Sequence, residues 1–347
     1  MKITSNPFGS VDGQTVDLFT LSNDHGMVIK ITNYGGIVTS MVVPDKNGRA
    51  EDIVCGFDTL DDYFSDTYTA NSPYFGCLVG RYAARVKDGK FSIGDIDYQV
   101  DTNDGPNHLH GGVKAFDKRV WTSEVLESNE VVGLKLYLKS PDGDGGYPGN
   151  LDVTVTYSLN NNNEFSIEYS AMTDKATPLS LTNHTYFNLN AFDGNILDHK
   201  ASITSDKFLV PDQSNVPVGE EQLVADTAWD YNQAKPIGDV FTESKMGFET
   251  YYVFSKPLNS FDKVAEFSDL SSGRKLEVFS SEPGMLFYTG FYTSDELQRE
   301  SGAQFGQFKA FCCETSRYPN GPNINGAPDS ILLPGAEYKS RTVFKLP

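Results

Sequence analysis

The sequence predicts an all-β protein, a large sandwich of two antiparallel sheets packed face to face. Short runs of alternating or β-branched residues recur along the chain, clusters of turn-forming residues separate them, and no stretch carries a long apolar stripe at helical spacing. Many strands with no helices between them favour two packed antiparallel sheets.

Taken in chain order, residues 27–34 and 37–43 are the first such runs, the second closed by the turn sequence PDKNG. Short helical turns are expected around residues 72–84, and a strand over 91–100. Residues 131–138 and 151–159 flank DGDGGYPGN, and LNNNNE separates the latter run from 165–172, with Gly and Asn supplying turn backbone in both connections. Runs at 276–280, 285–291 and 340–346 complete the set. The polar segment 212–236 reads as a long loop, either functional or merely mobile. No linker, charge block or repeat divides the chain, so residues 1–347 are expected to form one sandwich domain.

With 28 basic against 47 acidic residues, a formal charge of −19, the chain should repel nucleic acid and anionic membrane surfaces. The opening MKITSNPFGS lacks the apolar core of a signal peptide, and no segment approaches the ~18–20 apolar residues that span a bilayer. Cys55, Cys77, Cys312 and Cys313 form no CxxC pair and fit reduced buried thiols better than a disulfide framework. A cytoplasmic protein is expected.

Chemistry is sought where uncommon residues sit beside turns. In NDGPNHLHGG (103–112), His108 and His110 would share a face if the segment were a strand, and Gly111-Gly112 would let another backbone or a ligand come close. The plainer reading is a turn with one exposed and one hydrogen-bonded histidine. In LTNHTYFNLN (181–190), His184 is either a satisfied core histidine or a proton carrier, with Thr182, Asn183 and Tyr186 able to fix its tautomer. Glu314 ends an apolar run in QFKAFCCETSRYPNGPN and precedes a Pro/Gly/Asn loop, where a rigid scaffold presents a side chain to a site; alternatively it pairs with Arg317. Arg81 and Arg85 in VGRYAARV are four apart and would share one face of a short helix, one entering a cleft while the other braces it, or both serving as plain ion-pair partners. His108, His110, His184 and a carboxylate also permit a zinc site, against which stands the lack of any established metal-binding spacing.

Read together, LVGRYAARV, NHLHGG with VKAFDKRVW, DGGYPGNLDVTVTY, LTNHTYFNL, CCETSRYPNGPN and LLPGAEYKSRTVFKL resemble, in order and spacing, the aldose 1-epimerases or galactose mutarotases, from about Gly35 to the chain end. The resemblance implies a β-sandwich whose concave face binds a free hexose and interconverts its α and β anomers without a cofactor. It places the family's general base on Glu314 and its general acid on His184. It makes Arg85, His110 and Tyr186 sugar ligands, with Glu249 in the position usually held by an aspartate. No metal is implied, and the partner is a free sugar bound by a monomer or weak homodimer.

Those residue types suit the chemistry. Opening a pyranose hemiacetal needs a base for the C1 hydroxyl proton and an acid for the ring oxygen; rotation about C1–C2 and closure with roles reversed gives the other anomer. One carboxylate and one imidazolium suffice, while an arginine can donate two fixed hydrogen bonds to vicinal hydroxyls. Departures from the family pattern are Ala84, where Asn is common, Leu286, where Gln is common, and Glu249, one methylene longer than Asp; Asp239 and Glu243 are alternatives to it as sugar ligand. All three bear on sugar preference. Two other classes stay open: a non-catalytic carbohydrate-binding or sugar-sensing protein, and a hexose-6-phosphate epimerase, the latter disfavoured by the scarcity of basic residues.

Overall fold

The computed structural model describes residues 1–347. Alternation is the rule that builds it. In Leu151–Asn160, LDVTVTYSLN, every second side chain is buried, and its register with Val131–Ser140 on one side and Glu164–Thr173 on the other carries that alternation across three strands. The LNNNNE connection closes the second hairpin with Asn163 at φ +56°, a left-handed conformation that asparagine tolerates. These strands belong to a nine-stranded antiparallel sheet running from Thr122–Glu127 through Tyr338–Lys345 to Lys200–Ile203 and Lys235–Pro236.

Facing it is a six-stranded sheet in the order Tyr186–Phe187, Phe311–Ser316, Gly284–Tyr288, Glu249–Phe254, Ser205–Pro211, Pro217–Leu223. Phe187, Phe287, Phe311 and Cys313 point from it into the core, where Phe187 lies 5.0 Å from Phe344 and Phe311 4.4 Å from Phe267 of the opposite sheet. The Thr315 and Thr342 hydroxyls bond at 2.6 Å between the two sheets. A five-stranded meander, Lys2–Val11 to Ala50–Asp52, adds Ile29, Ile31 and Met41 to the same core. This leaves the second face of the six-stranded sheet to line a cleft.

Three local expectations change. The helix is Asp66–Asn71, capped by the Ser65 hydroxyl accepting from the Tyr68 N–H and stopped by Ser72 at φ +46°; beyond it the chain makes turns and the short strands Leu78–Val79 and Arg85–Val86, with no further helix through Val86. Arg81 and Arg85 therefore share no helix face. The 91–100 run is a hairpin, Lys90–Ile93 and Ile96–Gln99, folded at Gly94 (φ +60°). The segment 212–236 is not a bare loop, because Pro217–Leu223 pairs with Ser205–Pro211 as an edge strand.

Candidate active site

The cleft above the six-stranded sheet encloses about 340 Å³ and collects Arg85, His110, His184, Tyr186, Glu249 and Glu314, residues up to 229 positions apart in the chain. A wider cleft of about 730 Å³ opens elsewhere beside Tyr338–Lys345, but it contains no histidine. The chemistry therefore points to the smaller one.

Glu314 reaches the cleft by strand periodicity. In Phe311–Ser316, all buried, Phe311 and Cys313 face the core and Cys312 and Glu314 face the other way. Register places Leu286 opposite Glu314, and Glu249 opposite Tyr288 on the next strand, so these side chains share that face. Glu314 is 1 % exposed and neither carboxylate oxygen has a hydrogen-bond partner. Its neighbour is not Arg317, which pairs with Glu282 at 3.4 Å, but His184, whose Nε2 lies 3.4 Å from Oε1.

His184 sits where the chain crosses from Thr182–Asn183, paired with Leu78–Val79, to Tyr186–Phe187, paired with Phe311–Ser316. Its N–H donates to the Cys77 carbonyl and its own carbonyl accepts from the Gly76 N–H. Asn183 holds this crossing rather than the ring, donating to the Gly76 carbonyl and accepting from the Thr185 N–H and hydroxyl. The imidazole is clamped by aromatic faces: Tyr186 stacks on it at 4.9 Å and Tyr74 lies nearly parallel at 6.0 Å.

The two histidines of NHLHGG part company. His108 is fully buried with Nδ1 on the Asp101 carbonyl and Nε2 on the Tyr147 hydroxyl, both 2.7 Å, and burial lowers its pKa to about 4. The strand ends at Leu109; His110 takes φ +51°, which breaks the alternation and turns its ring into the cleft. There its Nδ1 accepts from the Ala84 N–H (3.2 Å), which leaves the neutral ring's proton on Nε2, while the His110 backbone N–H donates to the Ala84 carbonyl. The following glycine makes the turn possible: Gly111 has φ +94°, and a Cβ there would overlap the Gly80 carbonyl oxygen. Another backbone comes close at this point, one of the two possibilities the glycine pair raised.

The two arginines divide as cleft and brace. Arg81 is 2 % exposed and donates to Ser140, Pro141, Pro148 and Thr177, away from the cleft. Arg85 lies between two carboxylates, Nε to Asp104 and Nη1 to Glu249, both at 2.6 Å. Burial works against its charge, but Glu249 and Asp104 outweigh it and raise its pKa. Glu249 is thus a cleft residue, and its Oε2 remains unpartnered. Glu243 instead accepts from the Ala228 N–H, and neither it nor Asp239 lines the cleft.

Burial disfavours charge on both members of the central pair. It pulls His184 down to about 3 and pushes Glu314 well above the carboxylate range, with Glu249 adding to the latter. One proton shared across 3.4 Å therefore has two placements, carboxylic acid beside imidazole or carboxylate beside imidazolium, and the pair titrates as a unit. His110 is likewise driven well below its ordinary value by burial, then by His184 and Arg85.

Tyr74, Asp104, Tyr288 and Tyr292 also line the cleft and were not singled out in the sequence. Tyr74 takes φ +60° and sets its ring 4.8 Å from His110; nothing in NSPYFG signals that conformation.

The sequence model of the family described as "Aldose 1-epimerase" matches residues 17–345. The galactose mutarotase of Sus scrofa is 37% identical over 348 residues, covering 99% of this chain and 98% of that protein. The aldose 1-epimerase of Escherichia coli K12 is 29% identical over 350 residues, covering 99% of each. A crystal structure of galactose 1-epimerase from Lactobacillus acidophilus superposes with a TM-score of 0.86 at 27% identity, covering 100% of this chain and 98% of that one.

Proposed function

Because the chain belongs to the aldose 1-epimerase family and acts as such an enzyme, we propose that it interconverts the anomers of free aldohexoses, galactose or glucose foremost, with Glu314 as base and His184 as acid. The observation that carries this reading is the buried carboxylate–imidazole pair at 3.4 Å inside the cleft beside Arg85 and Glu249.

The carboxylate–imidazolium placement of the shared proton opens the ring: Glu314 takes the C1 hydroxyl proton as His184 Nε2 protonates the ring oxygen. Glu314 then holds a proton and His184 is neutral, which is the other placement that burial favours. Rotation about C1–C2 followed by the reverse transfers closes the ring with C1 inverted and restores the starting state. Proton count is conserved, so no cofactor is called for.

Sugar hydroxyls supply the polar partners that Glu314 and Glu249 Oε2 lack. Arg85, pinned on two sides, presents the remaining N–H groups of its fork, and His110 offers Nε2–H to the C1 or ring oxygen. Metal chemistry is disfavoured by the same hydrogen bond, since a cation at His110 Nε2 needs the lone pair that the Ala84 contact leaves protonated. The tyrosine rings of Tyr186 and Tyr74 brace the imidazole beneath the sugar.

Arg85 is the one arginine in the cleft lining, no lysine joins it, and it is already doubly paired, which argues against a phosphorylated sugar. We read residues 1–347 as one catalytic domain, monomeric or weakly dimeric, working on a free sugar in the cytoplasm; the four free buried cysteines support a reducing compartment. No helix is long and apolar enough to cross a membrane. Polarimetry on freshly dissolved α-galactose and α-glucose tests the reading, with glucose 6-phosphate alongside. Rates no faster than buffer on every free sugar would refute it, and comparable kcat/KM for glucose and its 6-phosphate would overturn the ranking.

A further inference from the structure

In the sequence Cys312 is one of four reduced thiols; in the structure it occupies the second nitrogen of His184. Cys312 and Glu314, two residues apart on Phe311–Ser316, face the same side and bracket the imidazole: Sγ lies 3.4 Å from Nδ1, and Oε1 lies 3.4 Å from Nε2. Tyr186 and Tyr74, both about 21° from the ring plane, keep the imidazole from turning out of this bracket. Beyond those four residues, His184 faces His110 and Tyr288 at 5.3 and 6.4 Å between ring centroids.

We infer that Cys312 is the positioning residue of His184: its sulfur accepts from Nδ1–H, so that Nε2 alone gives and takes the proton at the sugar. This rests on the acid assignment of His184 above. After Nε2 protonates the ring oxygen, the neutral imidazole must keep its remaining proton on Nδ1, or Nε2 has no lone pair with which to recover the proton on ring closure. Which nitrogen carries the proton is set by the partner of the other. A carboxylate at Nδ1 would hold that proton but would also favour imidazolium and weaken the acid. A thiol is a weak acceptor that orients the ring with no charge. Burial keeps the Cys312 thiol protonated, so the sulfur is a fixed marker rather than a proton carrier.

The neighbouring Cys313 is the internal control. It is equally buried, but it points into the main core and does not touch His184. Long-range ¹H–¹⁵N spectra of protein labelled with ¹⁵N-histidine report the tautomer directly. Native enzyme and Cys312→Ser are expected to show neutral His184 protonated at Nδ1, and Cys312→Ala a mixture of both tautomers. In Cys312→Ala kcat should fall roughly tenfold with KM unchanged, well below the ~10⁴ lost when a charged residue that orients a catalytic imidazole is replaced, because the thiol is a neutral, weak acceptor, and Cys312→Ser should restore most of it. Cys313→Ala should keep tautomer and kcat. Neutral His184 protonated at Nε2 in the native enzyme would mean that the thiol donates instead, and would overturn the inference. So would a Cys312→Ala enzyme with the native tautomer, or one that loses no more kcat than Cys313→Ala. Should Cys312→Ala fail to fold, Cys312→Ser decides alone: the hydroxyl is the stronger acceptor, favours the imidazolium and must move the alkaline limb of kcat upward in pH, and an unmoved alkaline limb would overturn the inference. Full turnover in His184→Asn would instead remove the acid assignment, and this role with it.

Discussion

Replacing Glu314 by glutamine keeps the shape of the side chain and removes both its basicity and its charge. A positioned general base contributes ~10²–10⁴ in rate, so kcat should fall by at least a hundredfold, about 3–5 kcal/mol on the barrier at 1.36 kcal/mol per tenfold. Stability should move the other way. Glu314 is 1 % exposed with both oxygens unpartnered, and burial raises its pKa in the fold. A group raised in this way adds stability below its unfolded value of 4.5 and loses it as pH rises through the folded value, so at neutral pH it is a cost to the native state. Removing an uncompensated buried group of this kind is worth on the order of 1–3 kcal/mol. Polarimetry gives kcat, galactose titration by calorimetry shows that the cleft still binds, and thermal unfolding at pH 7 should show a Tm raised by a few degrees. A kcat within tenfold of native would refute the base assignment. A lowered Tm at pH 7 would refute the claim that the fold leaves this carboxylate uncompensated.

Acidification should destabilise the fold through its buried histidines. His108 and His199, held by burial near 4, and His184, near 3, stabilise the protein fully above the ordinary value of 6.5 and lose that contribution as pH falls toward 4 and 3, about 3 kcal/mol for His108 alone, while Glu314 acts in the opposite sense; urea midpoints equal at pH 7 and 4.5 would contradict this. Glu249→Ala takes one of the two carboxylates from Arg85 and removes an unpartnered oxygen from the cleft, so KM should rise about tenfold and the ranking of sugars epimeric at one hydroxyl should change, with kcat moved less; unchanged KM across glucose, galactose and their deoxy analogues would show that Glu249 is no sugar ligand. Gly111→Ala sets a methyl against the Gly80 carbonyl at φ +94° and should cost several kcal/mol, read as a large drop in Tm; a native Tm would mean that the His110 turn relaxes freely.

Several features were legible because they are periodic or local. Strand alternation in LDVTVTYSLN and the turn chemistry of LNNNNE need only neighbours in sequence, and both hold. Glu314 at the end of FCCE was readable for the same reason: an apolar run buried on both faces that closes on a carboxylate leaves that carboxylate either paired or functional, and Arg317 turned out to belong to Glu282. Where the reading of residues left His184 open between core and site, and His110 between a plain turn and a site, the family motifs tipped the balance. The split between Arg81 and Arg85 was anticipated in kind but on a wrong helix, because Ser72 turns left-handed and ends the helix before either arginine.

By itself, then, the sequence determined the all-β class and the family, and through the family motifs it singled out Glu314 and His184 as the base and acid to be tested, since each depends on period-two patterning or on motifs a few residues long. The tertiary structure decided what those residues do to one another. That Glu249 and Asp104 clamp Arg85, that Tyr74 roofs His110, and that Cys312 rather than Asn183 faces the His184 ring all depend on side chains between 19 and 164 positions apart meeting over one sheet face. Such meetings are set by inter-strand register and by a few left-handed residues, among them His110 and Tyr74. No local pattern encodes them, because a single-residue change of register in their strands would carry Glu249, Cys312 and Glu314 to the opposite face, away from the groups they meet.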